Sequence, residues 1–355
     1  MGACAQLQYI FIDQALRNEF QPGDLLYLFM GDTQHFFPCT SNNNGCLAAT
    51  NNCNGHKSRR CKVLQSEWSN LAQRKSIRYL NSLIKDTVRR NGQLGVNGMV
   101  INGDLTDWGH QRELNRYLAR WNTIRDIAIY PGLGNHDYDN NVNDCFLDEC
   151  ANRMLRYLKK FANRKGLNID VRKQTDGATA TNRGSLAYSW DDCGDGAKPE
   201  TCVHFIQLNN YPSYRKDINV WSFPLTDWDI QSSFDWLKQD IQSNIAKPII
   251  INLHQYDDAF SKDQIEFSRI LNNLQPNLLA VMFAHHHPKV GIRHNECISG
   301  RQVPFMYSGS VPGNNYVLFH IRDGSIVGWY SFHVDSMEQT TVKKMKLQHN
   351  LLIGC

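Results

Sequence analysis

The chain has 355 residues, of which 41% are hydrophobic and 20% are charged, and its 38 basic and 34 acidic side chains give a net charge of +4. A chain of this length buries about three quarters of the surface that it exposes when unfolded, and its composition excludes a disordered chain, a collagen and a coiled coil. Because the charge is nearly balanced, it does not by itself indicate a nucleic-acid-binding protein.

The elements predicted in chain order alternate between strands and helices. Short apolar runs bounded by Gly or Pro predict buried strands at 25–30, 98–102, 127–130, 186–190, 202–208, 248–253 and 278–284. Helical spacing of apolar residues predicts helices at 66–91, 110–123, 149–164, 229–244 and 262–273. The stretch 165–185 is expected to be irregular, and strand-like segments recur over 303–334. This alternation predicts an α/β protein of the α+β type with largely buried, mixed sheets.

Most of the eleven cysteines lie close together in predicted loops, namely Cys39, Cys46, Cys53 and Cys61 in an Asn-rich stretch, Cys145 with Cys150, and Cys193 with Cys202. Such spacing is typical of disulfides formed in an oxidising compartment. We therefore expect an extracellular protein, or one of another oxidising compartment, whose secretion signal lies outside this chain. No apolar run approaches the roughly 18 residues that would span a bilayer.

Some cysteines also allow an interpretation other than a disulfide. The first cysteine-rich loop would suit a structural zinc, although none of its spacings is Cys-x-x-Cys. The other three cysteines, Cys4, Cys297 and Cys355, are expected to be free buried thiols.

Five predicted strands end in polar residues of the types that bind metals. These residues are Asp32 and Gln34, then Asp104 and Asp107, then Asn135, His136 and Asp137, then His254, and finally His285, His286 and His287. In an open α/β sheet, ligands bind beyond the carboxyl ends of the strands. Buried carboxylates without partners are costly, so several of them at one edge indicate cations. The sequence therefore predicts a metal site there.

Each of these signals has an ordinary structural explanation when taken alone. Gly-Asp at a strand end is commonly a turn, Asn-His-Asp is a common helix start, and His254 alone is more often a hydrogen-bonded polar residue than a ligand. Alternation along a strand places His285 and His287 on one face, where they can chelate, and His286 on the other. The order of all five blocks carries the prediction.

That order, Asp-x-Gln, Gly-Asp-x-x-Asp, Gly-Asn-His-Asp, His and Ala-His-x-His, resembles the calcineurin-like metallophosphoesterase superfamily over residues 25–330. The resemblance implies a two-sheet mixed β-sandwich flanked by helices, with a dinuclear metal site at the C-terminal ends of the strands. We accordingly expect an N-terminal arm (1–22), a catalytic domain (23–335) with a cysteine-rich insertion (35–65), and a C-terminal tail (336–355).

The resemblance also implies a role for each site residue. Asp104 would bridge two divalent metal ions. The first ion would be bound by Asp32, Gln34 and His287, and the second by Asn135, His254 and His285. His136 would act beside the leaving group, and Asp137 would orient its ring.

Three positions depart from patterns within that superfamily. Gln34 stands where the first motif usually has His, and an amide oxygen is a poorer ligand for zinc than imidazole is. Ala284 replaces the Gly of the last motif, which should leave the ligand spacing intact. Asp107 stands where the purple acid phosphatase branch has Tyr, so a ferric-tyrosinate centre is not expected. The oxygen and imidazole ligands leave Mn, Fe and Zn open.

The implied activity is that of a phosphomonoesterase or phosphodiesterase, in which a metal-bridging hydroxide attacks phosphorus in line. The substrate would be a phosphorylated small molecule or a lipid headgroup, selected by the loops at 35–65, 138–150 and 209–228. The last loop carries the aromatic residues Tyr211, Tyr214, Trp221 and Trp228, which either stack on a ligand or complete the core.

Alternatives to that activity are a nuclease or protein phosphatase with the same centre, and a non-catalytic binding protein that retains the fold. Nucleic acid is not favoured as a partner, because short basic runs such as 56–62 are typical of solvated surfaces. The intact His136 argues against the binding protein.

Overall fold

The computed structural model describes residues 20–21, 23–34, 59–87, 95–124, 127–176, 179–194, 201–220, 226–336, 339–345 and 355. Its helices are α1 (Arg59–Thr87), α2 (Gln111–Trp121), α3 (Asn135–Tyr138), α4 (Glu149–Lys165), α5 (Phe234–Ser243) and α6 (Gln264–Leu274). Its first nine strands are β1 (Leu25–Met30), β2 (Gly98–Ile101), β3 (Ala128–Pro131), β4 (Asn168–Ile169), β5 (Arg172–Asp176), β6 (Thr179–Gly184), β7 (Tyr188–Asp192), β8 (Val203–Gln207) and β9 (Lys216–Ile218). The later strands are β10 (Thr226–Ile230), β11 (Pro248–Asn252), β12 (Asn277–Phe283), β13 (Val290–Ile298), β14 (Arg301–Ser308), β15 (Asn315–Arg322), β16 (Ser325–Ser336) and β17 (Gln339–Met345).

Two large mixed sheets form the body of the fold. The first sheet has the order β17-β16-β15-β1-β2-β3, with β1, β2 and β3 parallel. The second has the order β13-β14-β12-β11-β8-β7-β4, with β8, β11, β12 and β14 parallel. A third sheet of four strands has the order β5-β6-β10-β9. The predicted mixed sandwich flanked by helices is confirmed, and the third sheet is an addition that the sequence did not predict.

The two large sheets pack through apolar and aromatic side chains. All six residues of β1 are buried, and the ring of Tyr27 stacks on that of Phe205 in β8, with centroids 4.2 Å apart. Because side chains alternate along a strand, Ile250 of β11 packs toward this shared core while Ile249 and Ile251 pack with α5 and α6. Apolar burial of this kind contributes about 25 cal/mol per Å².

The helices cover the outer faces of the sandwich. Helix α1 lies against the first sheet, where Tyr316 of β15 donates a hydrogen bond from its hydroxyl to Ser76 Oγ at 2.6 Å. Leu237 of α5 and Phe267 of α6 are fully buried against the second sheet. None of the helices in the described ranges is long and apolar enough to cross a membrane.

Two local predictions were wrong. The stretch expected to be irregular forms β4, β5 and β6. Strands β5 (RKQTD) and β6 (TATNRG) have almost no apolar residues, so main-chain pairing holds them rather than a period-two apolar pattern. The helix predicted at 229–244 begins only at Phe234, because the residues before it form β10 beside β6.

Three disulfides lie within the described residues. The expected pairs Cys145–Cys150 and Cys193–Cys202 are both formed. The expectation of free thiols was wrong for Cys297 and Cys355, because the fold joins them across 58 residues of sequence. The expectations for Cys4, Cys39, Cys46, Cys53 and the Cys61 side chain lie outside what the structure describes.

Candidate metal centre

Loops from both large sheets meet at one edge of the sandwich. The Asp32 N–H, after β1, donates to the Gly103 carbonyl after β2 at 3.0 Å. Gln207 Nε2, at the end of β8, donates to Asn102 Oδ1 at 3.2 Å and so joins the second sheet to the first. The Ala284 N–H, after β12, donates to the carbonyl of His254 after β11 at 2.9 Å. The carboxyl ends of parallel strands from two sheets therefore form one site.

Four of the predicted metal ligands have left-handed backbone conformations. Asp32 has φ of 50°, Gln34 of 34°, Asp104 of 50° and His285 of 69°. Residues other than glycine rarely adopt positive φ, and the strained ones cluster at functional sites. The concentration of positive φ angles in these three loops therefore marks a functional site, and it could not be predicted from the sequence.

One cluster of ligand atoms surrounds Asp104. Single ligand atoms of Asp104, His254 and His285 all lie within 4.8 Å of one another. The His254 Nε2 atom lies 3.2 Å from Asp104 Oδ2 and 3.0 Å from Asn135 Oδ1. The structure thus brings together Asp104, which is expected to bridge the ions, and the three ligands expected for the second ion.

The protonation of these rings follows from their neighbours. His254 Nδ1 lies 2.7 Å from the Asn102 carbonyl, so its Nδ1–H donates to that carbonyl and Nε2 faces Asp104, where a bound cation would take the place of the Nε2 proton. Burial lowers the pKa of His254, but the charge of Asp104 outweighs it and raises the pKa to about 9. Burial and the charge of His254 lower the pKa of His285 to about 4, which favours its neutral form.

A second cluster surrounds Asp32. The His287 Nε2 atom lies 3.3 Å from Asp32 Oδ1, and the His285 N–H donates to Asp32 Oδ2 at 3.2 Å. The Gln34 N–H donates to the Asp104 carbonyl at 2.7 Å, which joins this cluster to the first. Asp32 Oδ1 and Gln34 Oε1 are buried, and apart from the His287 ring beside Asp32 Oδ1 neither has a hydrogen-bond partner among the described residues.

This donor set fits divalent cations. Buried carboxylate and amide oxygens without hydrogen bonds are costly unless a cation contacts them. Carboxylate oxygen, amide oxygen and imidazole nitrogen are ligands for Mn, Fe and Zn. The loops also lie as close as their atoms permit, since a Cβ on Gly134 would stand 2.2 Å from Asp104 Oδ1 and one on Gly103 would stand 2.6 Å from His254 Nδ1.

His136 lies beside the Asp104 cluster, with its backbone N–H donating to Asp104 Oδ1 at 3.0 Å. Its ring Nδ1 lies 2.8 Å from the backbone carbonyl of Asp107 and 3.7 Å from Asp107 Oδ1. Burial lowers the pKa of His136, but the charges of Asp104 and Asp107 outweigh it and raise the pKa above its ordinary value. The imidazole can therefore carry a proton.

Asp137 makes different contacts from those that the resemblance implies, because it is Asp107 that touches the His136 ring. The Asp137 carboxylate accepts hydrogen bonds from the N–H groups of Leu105, Thr106 and Gly134, each at 3.0 Å, and from the Thr106 hydroxyl at 2.8 Å. Those four donors occupy both of its oxygens. Asp137 therefore fastens the loop after β2 to the start of α3.

Further residues at the centre were not singled out from the sequence. Gln255 Nε2 and Asp258 Oδ2 lie 3.2 Å and 3.4 Å from His285 Nε2. The ring of Trp108, which is 38% exposed, has its centroid 6.0 Å from that of His136. Gln255 directly follows His254 and Trp108 directly follows Asp107, which was the available signal for those two residues.

The aromatic residues of the loop at 209–228 complete the core. Tyr214 is 5% exposed and Trp228 is 1% exposed, and Tyr211 packs against both core clusters. Trp221 lies outside the described ranges.

Comparison with known proteins places the chain in a family. The sequence profile of the calcineurin-like phosphoesterases matches residues 25–289, whereas none of the curated proteins matches the chain. A structure of PhoD is 8% identical, with a TM-score of 0.46, and the match covers 92% of this chain and 69% of that chain. Haemophilus influenzae NAD nucleotidase (NadN) is 14% identical, with a TM-score of 0.45, and the match covers 92% and 50%. The calcineurin-like phosphoesterase YfkN from Bacillus subtilis is 12% identical, with a TM-score of 0.38 and 94% of each chain covered.

Because the profile covers most of its length, the chain belongs to the calcineurin-like phosphoesterase family and is a metallophosphoesterase, a hydrolase that acts on phosphoester bonds.

Proposed function

We propose that the chain binds two divalent cations at this centre and hydrolyses a phosphomonoester or phosphodiester of a small molecule or lipid headgroup. The observation that carries the proposal is the convergence of six carboxylate, amide and imidazole side chains from both sheets, with Gln34 joined to Asp104 through its backbone and its own Oε1 buried without a hydrogen-bond partner among the described residues. A buried cluster of this kind is costly unless cations neutralise it.

The ligands divide into two sets around Asp104. Asp32, Gln34 and His287 would hold one ion, and Asn135, His254 and His285 would hold the other. The distance of 3.3 Å from His287 Nε2 to Asp32 Oδ1 supports the first set. The distance of 3.0 Å from His254 Nε2 to Asn135 Oδ1 supports the second. When bound, the ions polarise phosphoryl oxygens and make water a stronger nucleophile at neutral pH.

His136 would protonate the leaving oxygen. Its Nδ1–H donates to the Asp107 carbonyl, which orients the ring and leaves Nε2 to deliver the proton. The Asp107 carboxylate, 3.7 Å from Nδ1, stabilises the imidazolium. We therefore propose Asp107 as the positioning residue for His136, and a structural role for Asp137.

Trp108 would contact the leaving group. Its backbone is fixed on both sides, because its N–H donates to Glu113 Oε2 at 2.9 Å and its carbonyl accepts from Asn141 Nδ2 at 3.1 Å. Its ring is nevertheless partly exposed beside the acid that serves the leaving oxygen. A fixed, exposed indole favours an apolar, aromatic or cationic leaving group.

An oxidising compartment is proposed as the place of action. Three disulfides within the described residues support it, because such bonds persist in secreted proteins and are rare in the cytosol.

The proposed activity is tested by loading the chain separately with Mn²⁺, Fe²⁺ and Zn²⁺ and offering matched phosphomonoester and phosphodiester substrates. We expect hydrolysis of at least one class by a metal-loaded preparation, and loss of that activity with a chelator. Metal-loaded chain that hydrolyses neither class across pH 5 to 9 would contradict the proposal.

A further inference from the structure

A pocket open to solvent lies between helix α4 and the four-stranded sheet, away from the residues of the metal centre. Its volume is about 490 Å³. Five cationic residues line it, namely Arg156, Lys159, Lys160, Arg164 and Lys173. Among the described residues, no carboxylate lines it, and none of the predicted metal ligands does. We call it the α4 cavity.

The cations converge because of helical spacing and sheet register. Successive cations of α4 follow helical spacing, because Lys160 lies four residues after Arg156 and four before Arg164. This spacing places them along one side of the helix, with Lys159 beside them. Lys173 reaches the same cavity from β5. Four residues of one charge sign on one helix face would repel one another without a compensating anion.

Little of this charge is neutralised within the protein. Arg156 pairs with Glu149, with Nη2 to Oε1 at 2.5 Å. Lys160, Arg164 and Lys173 form no ion pair or hydrogen bond among the described residues. Their charges are therefore available to a ligand.

Lys159 is held in place at the wall of the cavity. Its Nζ donates to Asn182 Oδ1 at 2.5 Å and lies 6.0 Å from the centroid of the Trp228 ring. Trp228 is itself fixed, because its indole N–H donates to Asn152 Oδ1 at 2.9 Å. Burial, followed by the positive charge of Lys173, lowers the pKa of Lys159. One cation of the cavity is thus held in place, and the charges of Lys160, Arg164 and Lys173 are not neutralised by the described residues.

From the cavity and its unpaired cations we propose that the α4 cavity binds a small anion carrying two or more phosphate groups. Several ammonium and guanidinium groups around one space match clustered phosphates, with Arg164 able to form paired hydrogen bonds and the lysines acting as point charges. Asn182, whose Oδ1 is taken by Lys159, adds a neutral amide donor.

The ligand is a small molecule rather than a nucleic acid. A volume of about 490 Å³ lies in the range of small-molecule pockets, whereas single-stranded nucleic acid needs a long groove with exposed stacking rings. The one aromatic residue lining the α4 cavity, Trp228, is only 1% exposed and so offers no face on which a base can stack.

The proposal is tested by calorimetric titration of the full chain with myo-inositol hexasulfate, which contains no phosphoester bond and is therefore not hydrolysed. We expect one site per chain, with affinity about tenfold weaker in Lys160→Gln/Lys173→Gln. The charge-retaining Lys160→Arg/Lys173→Arg should bind within about threefold of the unmodified chain. The matched control Lys238→Gln/Lys262→Gln removes two lysines elsewhere and should bind as the unmodified chain does.

A second arm separates the α4 cavity from the metal centre. Titration of Asp104→Asn with myo-inositol hexakisphosphate should keep the site, and adding Lys160→Gln/Lys173→Gln to it should weaken binding by about tenfold. The two lysine substitutions alone should leave phosphoester hydrolysis unchanged. No binding up to about 1 mM of either probe, or equal weakening by the control pair, would overturn the proposal. Loss of binding in Asp104→Asn would also overturn it, by placing the anion at the metal centre.

Discussion

His136 Nδ1 lies 2.8 Å from the backbone carbonyl of Asp107, whereas the carboxylate of the adjoining Asp137 is filled by four hydrogen-bond donors of two loops. The two acidic residues flanking the candidate general acid therefore have separable roles. We propose that Asp107 stabilises the imidazolium from which the leaving oxygen takes its proton, and that Asp137 fixes the backbone that carries the proposed metal ligands.

Replacement of His136 by Ala should lower kcat about 10² to 10⁴-fold on an alkyl phosphoester, because a positioned acid contributes that much. The loss should be much smaller on a p-nitrophenyl ester, whose leaving group needs no proton. The dependence of rate on leaving-group pKa measures this. His110→Ala, which changes an exposed histidine outside the centre, is the control. An equal loss on both esters would refute the role of His136 as the acid.

Asp107→Asn should impair catalysis, whereas Asp137→Asn should lower stability. Asp107→Asn should lower kcat with poor leaving groups and move the basic side of the pH profile to lower pH, because losing the Asp107 charge lowers the pKa of His136; stability should change little. Asp137→Asn should lower the free energy of unfolding by about 2 to 4 kcal/mol, because two backbone donors in a fully buried site lose a charged acceptor. Urea denaturation and kinetics on both variants distinguish the roles. If Asp137→Asn keeps the stability of the unmodified chain and loses only turnover, Asp137 serves the reaction and its proposed structural role is wrong.

Gln34→His should tighten binding of the ion held with Asp32. Imidazole is a better ligand than an amide oxygen for zinc and iron, and Gln34 Oε1 has no hydrogen bond among the described residues to lose. Metal retained during dialysis against a chelator gives the measurement. Gln255→His, which alters an amide on the other side of the centre, is a useful comparison. Unchanged retention in Gln34→His would remove Gln34 from the ligand set.

Gly134→Ala should displace Asp104 and lower both metal content and activity. The added Cβ would stand 2.2 Å from Asp104 Oδ1 and 2.6 Å from its backbone nitrogen, so the loops must separate. Gly328→Ala is the matched control, because its nearest neighbour, the Tyr330 hydroxyl, would be 3.6 Å away. Full metal content in Gly134→Ala would mean that the close approach of these loops is not required.

Stability below pH 5 should depend on Asp24, which is remote from the centre along β1. Burial opposes its ionisation, but bonds from Arg322 at 2.8 Å and from the Gln21 N–H at 2.7 Å outweigh it and hold its pKa below the ordinary value. A carboxyl with a lowered folded pKa adds stability above its unfolded pKa of about 3.9, and that stability is lost as pH falls through the folded pKa.

Asp24→Asn should therefore lower the free energy of unfolding by about 3 kcal/mol at pH 7, because Arg322 and the buried His320 lose their carboxylate partner. The difference from the unmodified chain should shrink as the pH falls toward 3. Guanidinium denaturation at several pH values provides the test. A difference that stays constant from pH 7 to pH 3 would argue against this ion pair.

The sequence predicted the parts of the fold that have strong apolar patterns. Strand β1, with six buried residues, and helix α4 lie within two residues of their predicted bounds. Strands β5 and β6 were missed because their stability comes from pairing with each other and with β10, which leaves no period in their own residues. The Cys297–Cys355 disulfide depends on where the chain end lies in space, which spacing along the sequence does not reveal.

For the candidate centre, too, the sequence predicted some features, while others depend on the three-dimensional fold. Residue types at strand ends predicted which side chains converge, since parallel strands of packed sheets end at one edge. The contact of Asp107 rather than Asp137 with His136 depends on the turn at the start of α3, where backbone donors capture the Asp137 carboxylate. Neither contact is encoded in the spacing of Asp107, His136 and Asp137.

The most direct test of the centre measures bound metal and phosphoester hydrolysis in the same preparations of the unmodified chain and Asp104→Asn. We predict about two ions per chain and turnover in the unmodified chain. Asp104→Asn should lose at least one ion and reduce turnover by about 10³-fold or more, with circular dichroism unchanged. Asp104→Asn that keeps the metal content and turnover of the unmodified chain would contradict the account.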